Sequence, residues 1–413
     1  MATLFTNIKT LVNTRETYHL LRGPELAYLP CIDNAYLVIE GAQIADYGKM
    51  ENLQQKPEAF AFHVDCTGRL VLPAWCDSHT HLVFAGSREA EFIDKLQGLS
   101  YAQIAAKGGG IQASAERLME TSEDTLYNQA YARLHELMQL GTGAIEIKSG
   151  YGLSVEGELK MLRVIRRLQQ TVPIPVRATF LGAHALPQAY KNNRSAYIDL
   201  VINEMLPQIQ QEGLADYIDV FCEEGFFTPE ETERICNAGK QVGLKPKIHA
   251  NQLQVSGGVQ AGVRVGAVSV DHLESMDAAA IEALAQSATI GTLLPTAAFF
   301  LRMPYQPARQ LIDAGCAIAL ASDFNPGSSP SGNMNLVVAI SCIGMRMLPQ
   351  EAINAATING AYAMELEKET GSITVGKLAN LIVTKPVPSL NYLPYAFGSN
   401  HIEKVMLAGE WLS

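Results

Sequence analysis

Hydrophobic and polar positions follow two rhythms along this chain. Over most of its length, short apolar runs rich in β-branched residues recur, each followed by a longer stretch with helical spacing. The runs VLPAWC (71–76), AIEIK (144–148), VRATFL (176–181), YIDVF (217–221), KPKIH (245–249), AVSVD (267–271), TIGTLL (289–294) and AIALAS (317–322) predict strands. EDTLYNQAYARLHELMQL (123–140) and EGELKMLRVIRRLQQ (156–170) predict amphipathic helices between them. A parallel strand pair needs a crossover of helix length, so the alternation predicts parallel pairing. Eight such units predict an α/β fold, a (β/α)8 barrel over residues 73–366.

Both ends depart from that rhythm. Residues 1–72 hold strand-like pieces such as AYLVIEGAQIADYG (35–48), separated by turn residues. Residues 367–413 resume the style with GSITVGKLANLIV (371–383) and HIEKVMLAGEWL (401–412). Neither end alone has enough strands to be stable, so the two are expected to join in one small composite β-domain, a β-sandwich.

The composition narrows the class. At 413 residues and 48% hydrophobic content the chain fills a large core plus a smaller unit. A net charge of -11, with both signs interspersed, argues against a nucleic-acid surface. The N-terminus lacks the basic-then-apolar layout of a signal peptide, and no apolar run is long enough for a membrane span. Seven scattered cysteines read as reduced thiols of a cytoplasmic protein.

Barrels of this kind place their chemistry at the C-terminal ends of the strands. The residues there are His79 and His81 in DSHTH, Tyr151 in SGYG, His184 in GAH, Glu223 and Glu224 in CEEG, His249 and Gln252 in HANQ, Asp271, His272 and Glu274 in DHLE, and Asp323, Asn325 and Ser328 in SDFNPGS. Five of the nine histidines thus fall on one expected rim, which chance placement would scatter. On a strand, residues i and i+2 share a face, so His79 and His81 point together into the barrel mouth. Neutral imidazoles suit zinc or ferrous iron, and His249 and Asp323, each behind an apolar run, are the best candidates to complete the set. The run GGGI (108–111) lacks the spacing of a phosphate loop and reads as a hinge or lid. Glu223 and Glu224 read as rim ion pairs.

The strings LPAWCDSHTHLVFAGSRE, KGGGI, EIKSGYGL, FLGAH, KIHANQ, DHLE and ASDFNPGS occur in order from about residue 70. In these the chain resembles the imidazolonepropionase branch of the metal-dependent amidohydrolases. His-x-His is shared by the whole superfamily, whereas EIKSGYGL together with SDFNPGS is specific to this branch. The resemblance implies one divalent metal ion, zinc or iron, held by His79, His81, His249 and Asp323. It implies substrate contacts from Arg88, Tyr151, His184 and Gln252, and contacts to the product carboxylate from Asn325, Gly327 and Ser328. The implied reaction is hydrolysis of the cyclic amide of 4-imidazolone-5-propanoate by a metal-activated water, giving N-formimidoyl-L-glutamate in histidine degradation. Asp323, His272 and Gln252 are then the catalytic candidates. His272 is open to several roles, from orienting water to stabilising an oxyanion. Some members of the branch carry Glu where this chain has Gln252, and an amide binds substrate but is no general base. A planar guanidinium matches a carboxylate, so Arg88 fits the propionate tail. The relatives imply a homodimer acting on a small molecule, with no nucleic-acid or membrane partner.

Binuclear relatives carry a bridging lysine at the end of the fourth strand. VFCEEG has none there, while Lys148 ends the second strand, so one metal is expected. Two other readings use the same residues: a nucleobase deaminase, which has no propionate for Arg88, and a silent barrel kept as an interaction protein.

Overall fold

The computed structural model describes every residue except 1, 100–102, 104–106, 108 and 413. Eight strands form one parallel sheet in chain order: β1 (Trp75–Thr80), β2 (Thr142–Lys148), β3 (Val176–Ala183), β4 (Tyr217–Cys222), β5 (Lys245–Ala250), β6 (Ser269–His272), β7 (Ile290–Leu293) and β8 (Ile318–Leu320). β1, β2, β4 and β6 are buried at every position, because helices cover the outside and side chains fill the inside. That double burial is why these strands lack a simple apolar–polar alternation, their few polar residues, such as Glu146, Lys148 and Asp219, being buried too. The two expected helices form at Glu123–Gln139 and Val155–Thr171, each begun by a serine, Ser122 or Ser154, that accepts the backbone N–H three residues on.

The sheet closes between its first and last strands at the rim. The N–H of Asp323 donates to the carbonyl of His79 at 3.0 Å, and that of His81 to the carbonyl of Phe324 at 2.9 Å. One strand turn lower, the buried Asp77 carboxylate accepts from the Ser322 N–H (2.9 Å) and hydroxyl (2.5 Å). The seam therefore sets His79 and His81 beside Asp323.

The first strand differs from expectation. VLPAWC divides: Leu70–Pro73 joins the second sheet and the barrel strand begins at Trp75. The run is apolar throughout because both sheets bury it, so periodicity does not mark the crossing. The GGGI reading also changes. Gly108 lies outside the described residues, and Gly110 and Ile111 open a helix, Gly110–Glu120, whose first N–H donates to Glu91 Oε1 at 2.9 Å.

The second sheet has the order 410–411, 402–407, 381–384, 70–73, 2–12, 31–40, 43–49, with 62–65 beside 2–12. Leu70–Pro73 and Leu381–Thr384 pair antiparallel, Leu72 opposite Ile382, which joins the two ends of the chain. Leu72, Ile382, Ile402 and Val405 belong to the same apolar cluster as the barrel helices. Among the described residues no helix is long and apolar enough to cross a membrane, and all seven cysteines are free.

Candidate metal centre and cavity

β1 delivers His79 and His81 to one face, their ring centroids 5.3 Å apart. β5 brings His249, whose Nε2 lies 3.3 Å from His81 Nε2. The tip after β8 brings Asp323, whose Oδ1 lies 3.5 Å from His79 Nε2 and 3.6 Å from His81 Nε2. Three imidazole Nε2 atoms and a carboxylate oxygen therefore converge. The Nδ1 atoms of two rings lie against carboxylates instead: that of His79 hydrogen-bonds Asp271 Oδ2 at 2.7 Å, and that of His249 lies 3.0 Å from Asp219 Oδ2, within ion-pair distance but off hydrogen-bonding angles. A proton held on Nδ1 leaves an Nε2 lone pair pointing inward, as a metal ligand requires. His79 Nε2 is buried with no hydrogen-bond partner. A buried polar atom left so is costly unless something else satisfies it, and a cation among these donors does. The donor set fits one divalent ion.

Burial holds the His79 and His81 pKa values well below the ordinary imidazole range, with neighbouring cations and imidazoles adding to it. Both rings are thus neutral and able to ligate at neutral pH. Burial also raises Asp323, to about 6, against the pull of His272 and His249. His272 runs the other way. Burial alone would lower it, yet Glu274, with Asp323 and Asp271, outweighs that and raises it. Its Nδ1 is 3.5 Å from Glu274 Oε1, which also accepts from Gln306 Nε2 at 3.0 Å. Asn251, His272 and Asp323 all leave their strands with positive φ (54°, 87° and 51°), a strained backbone typical of functional sites.

A cavity of about 590 Å³ opens above this cluster, lined by Arg88, Tyr151, His184, Gln252, Asn325 and Ser328 among others. Every lining residue lies between His81 and Ser328. His184 stacks on His81 (5.2 Å, 14° between planes), and its Nδ1 donates to the Gly150 carbonyl at 3.0 Å. Burial, with His249 near it, drives its pKa down to about 3, so this ring is neutral. Gly150 has φ +109°, and a Cβ there would sit 2.9 Å from His184 Nδ1, so only glycine fits. Tyr151 packs 5.8 Å from the His81 ring.

Arg88 is nearly buried, and Glu91 takes its Nε (2.9 Å) and Nη2 (2.6 Å) as a bidentate pair. Its guanidinium lies over Gly327, where a Cβ would approach Nη1 to 2.5 Å. Asn325 organises the last loop: its Oδ1 accepts from the N–H groups of Gly327 (2.8 Å) and Ser328 (2.7 Å), and its Nδ2 donates to Ser328 Oγ (2.7 Å). These three residues bond first to one another.

The expected rim ion pairs of Glu223 and Glu224 do not form among the described residues. Glu223 is buried and accepts from the N–H groups of Leu253 (2.9 Å), Gln254 (3.4 Å) and Glu224 (2.9 Å), pinning the loop that carries Gln252. Sequence reasoning also missed Lys95 and Arg302 on the cavity wall and Glu91 behind Arg88, and it did not see that Lys148 and Asp271, both noted at strand ends, join Glu146, Asp219 and Lys247 in a charged cluster beneath it. That cluster had a signal. Charged residues at i, i+2 spacing inside apolar runs, as Glu146 and Lys148 in AIEIK, must point into the barrel.

A parallel barrel with imidazoles and an aspartate gathered at its strand tips defines a metal-dependent hydrolase, and residues 70–412 match the amidohydrolase family. A protein of Flavobacterium johnsoniae named imidazolonepropionase is 58% identical over 412 residues, covering 99% of this chain and 100% of that one. One of Christiangramia forsetii with the same name is 55% identical, with the same coverage. Among solved structures, E. coli guanine deaminase shares the fold at 14% identity, with a TM-score of 0.75 over 100% of this chain and 99% of that one. The chain belongs to the imidazolonepropionase branch of the amidohydrolase family.

Proposed function

We propose that this protein hydrolyses the ring amide of 4-imidazolone-5-propanoate to N-formimidoyl-L-glutamate, a step of histidine degradation. The observation that carries the reading is full-length identity of 58% to an imidazolonepropionase. The converging donors of the cavity floor support the chemistry. His79, His81, His249 and Asp323 hold one zinc or iron ion. When bound, that ion supplies water activated for attack and positive charge beside the carbonyl.

The chain's own groups do the rest. Arg88, its plane fixed by Glu91, binds the propionate and sets the ring's register above the cluster. Tyr151 and the neutral His184 wall the ring, and Gln252 hydrogen-bonds it without acting as a base. Asp323 takes the proton of the attacking water. His272, its pKa raised by Glu274, is placed to stabilise the oxyanion, an interaction of about 3–4 kcal/mol in comparable sites. Asn325, with Gly327 and Ser328, presents the loop that meets the new carboxylate. Residues 73–366 act as the hydrolase barrel, and residues 1–72 with 367–413 as the supporting β-domain. The reading extends to a cytoplasmic homodimer with no nucleic-acid or membrane partner.

The test is loss of substrate absorbance with purified protein and freshly made imidazolone-propanoate. Turnover that a chelator abolishes and added metal restores is expected. No turnover by the metal-replete protein, or turnover indifferent to chelation, would overturn the assignment. Arg88→Met tests the substrate. Its loss of a charged hydrogen bond predicts a KM about 10- to 100-fold higher, and an unchanged KM contradicts the propionate contact.

A further inference from the structure

Beneath the metal-facing imidazoles lies a closed set of charges: Glu146, Lys148, Asp219, Lys247 and Asp271, each fully buried. Lys148 Nζ donates to Glu146 Oε1 (2.6 Å) and Asp219 Oδ2 (2.8 Å) and stands 3.5 Å from Asp271 Oδ2. Lys247 pairs with the other oxygen of Glu146, and Thr179 Oγ1 donates to Glu146 Oε1 at 2.6 Å. Ser269 Oγ donates to Asp271 Oδ1 at 2.6 Å, and the His249 N–H to Asp219 Oδ1 at 3.1 Å. Among the described residues Lys148 is the one cation within salt-bridge distance of both Asp219 and Asp271.

Those two aspartates each face the Nδ1 of a different imidazole, His249 and His79. We propose that Lys148 is a positioning residue for the metal: one ammonium fixes two carboxylates, and the two carboxylates fix the tautomer and tilt of two ligands at once. The inference rests on the reading that His79 and His249 bind a metal ion. The physical reason is geometric. An imidazole offers its Nε2 lone pair only when its proton sits on Nδ1, and a carboxylate keeps it there only while its own orientation is held. Asp271 and Asp219 come from different strands, β6 and β4, and each is paired with its own imidazole, His79 and His249 respectively. Lys148, from β2, supplies the common anchor. Without it, neither carboxylate has a cation to hold its orientation, and each is free to turn away from its imidazole.

A network that merely holds the barrel together makes a different prediction, and two variants separate the cases. Lys148→Met removes the anchor but leaves a buried charge imbalance, which risks misfolding. The double variant Lys148→Met with Glu146→Gln removes one charge of each sign and keeps the net charge of the set. Two quantities are measured on the metal-free protein, then on titration with Zn2+ alone against a competing chelator. These are the imidazole tautomers, by long-range 1H–15N correlation, and the zinc affinity. In the unsubstituted chain both His79 and His249 are expected as Nδ1–H tautomers. In the folded double variant at least one of the two is expected to lose that preference, with zinc affinity about 10- to 100-fold weaker. Either ring found as Nε2–H in the unsubstituted chain overturns the proposal, as does a folded variant with full zinc affinity and both tautomers intact. If the unsubstituted chain takes up no zinc, the metal reading falls, while the tautomers still judge Lys148.

Discussion

His272 sits between opposing influences, and its charge follows from which one wins. Burial disfavours the imidazolium, and the Glu274 carboxylate favours it more strongly. A raised pKa keeps His272 protonated to higher pH than an ordinary histidine, so the oxyanion partner persists further up the pH scale and is lost as pH rises through that raised pKa. Glu274→Gln removes the stabilising charge and lowers the pKa. The alkaline limb of the kcat–pH profile is then expected to move to lower pH, and an unmoved limb shows that His272 is not the titrating partner. Gly150 makes a second case at the same scale. Its φ of +109° and the nearness of His184 forbid a side chain. Gly150→Ala is expected to cost about 1–3 kcal/mol of stability. It should also displace His184, and the two effects are read together as a lower melting temperature and a raised KM.

The strands are where reading from the sequence served best, and where its limits have physical causes. Seven of the eight apolar runs lie within one or two residues of barrel strands, because burial on both faces leaves a continuous signal. Their tips placed His79, His81, His249, His272 and Asp323 on one rim, and the folded chain gathers all five there. VLPAWC was illegible for the same reason, since an apolar run looks alike whichever of two cores receives it. Glu223 misled because a carboxylate's partner depends on how a loop folds back, and here the partner is backbone N–H. Arg88 was visible by type, but its pairing with Glu91 depended on the helical turn of Glu89–Leu96. The seam of β1 and β8 carries its own prediction. Asp77 bonds Ser322 twice across it, in a fully buried place. Asp77→Ala leaves buried donors without partners, at about 1–3 kcal/mol each. Because the seam also sets His81 beside Asp323, metal affinity should fall with stability. Affinity unchanged in a destabilised variant would show that the seam and the site are independent.

The whole chain depends on its ends meeting. Ile402, Val405, Met406 and Leu407 are buried, Val405 and Leu407 against the barrel's cluster and Met406 in that of the second sheet. Removing residues 401–413 exposes those contacts, about 6–12 kcal/mol at ~1.5–3 per side chain. That is comparable with a typical total stability of ~5–15 kcal/mol, so no folded protein is expected. The joined cores also predict one unfolding transition. Trp75 reports on the barrel and Trp411 on the second sheet, so Trp75→Phe and Trp411→Phe variants, followed by fluorescence, should share a midpoint. Separate midpoints would mean that the two sheets are stable independently. At this scale the site is a meeting of β1, β5 and the tip of β8, far apart in sequence, around one ion. X-ray absorption of the metal-loaded protein measures that meeting directly. One zinc or iron per chain, with imidazole nitrogens and a carboxylate oxygen at about 2.0–2.2 Å for zinc, is the predicted result. A thiolate shell, or less than about a tenth of an equivalent of tightly bound metal at the usual affinity of such sites, would contradict it.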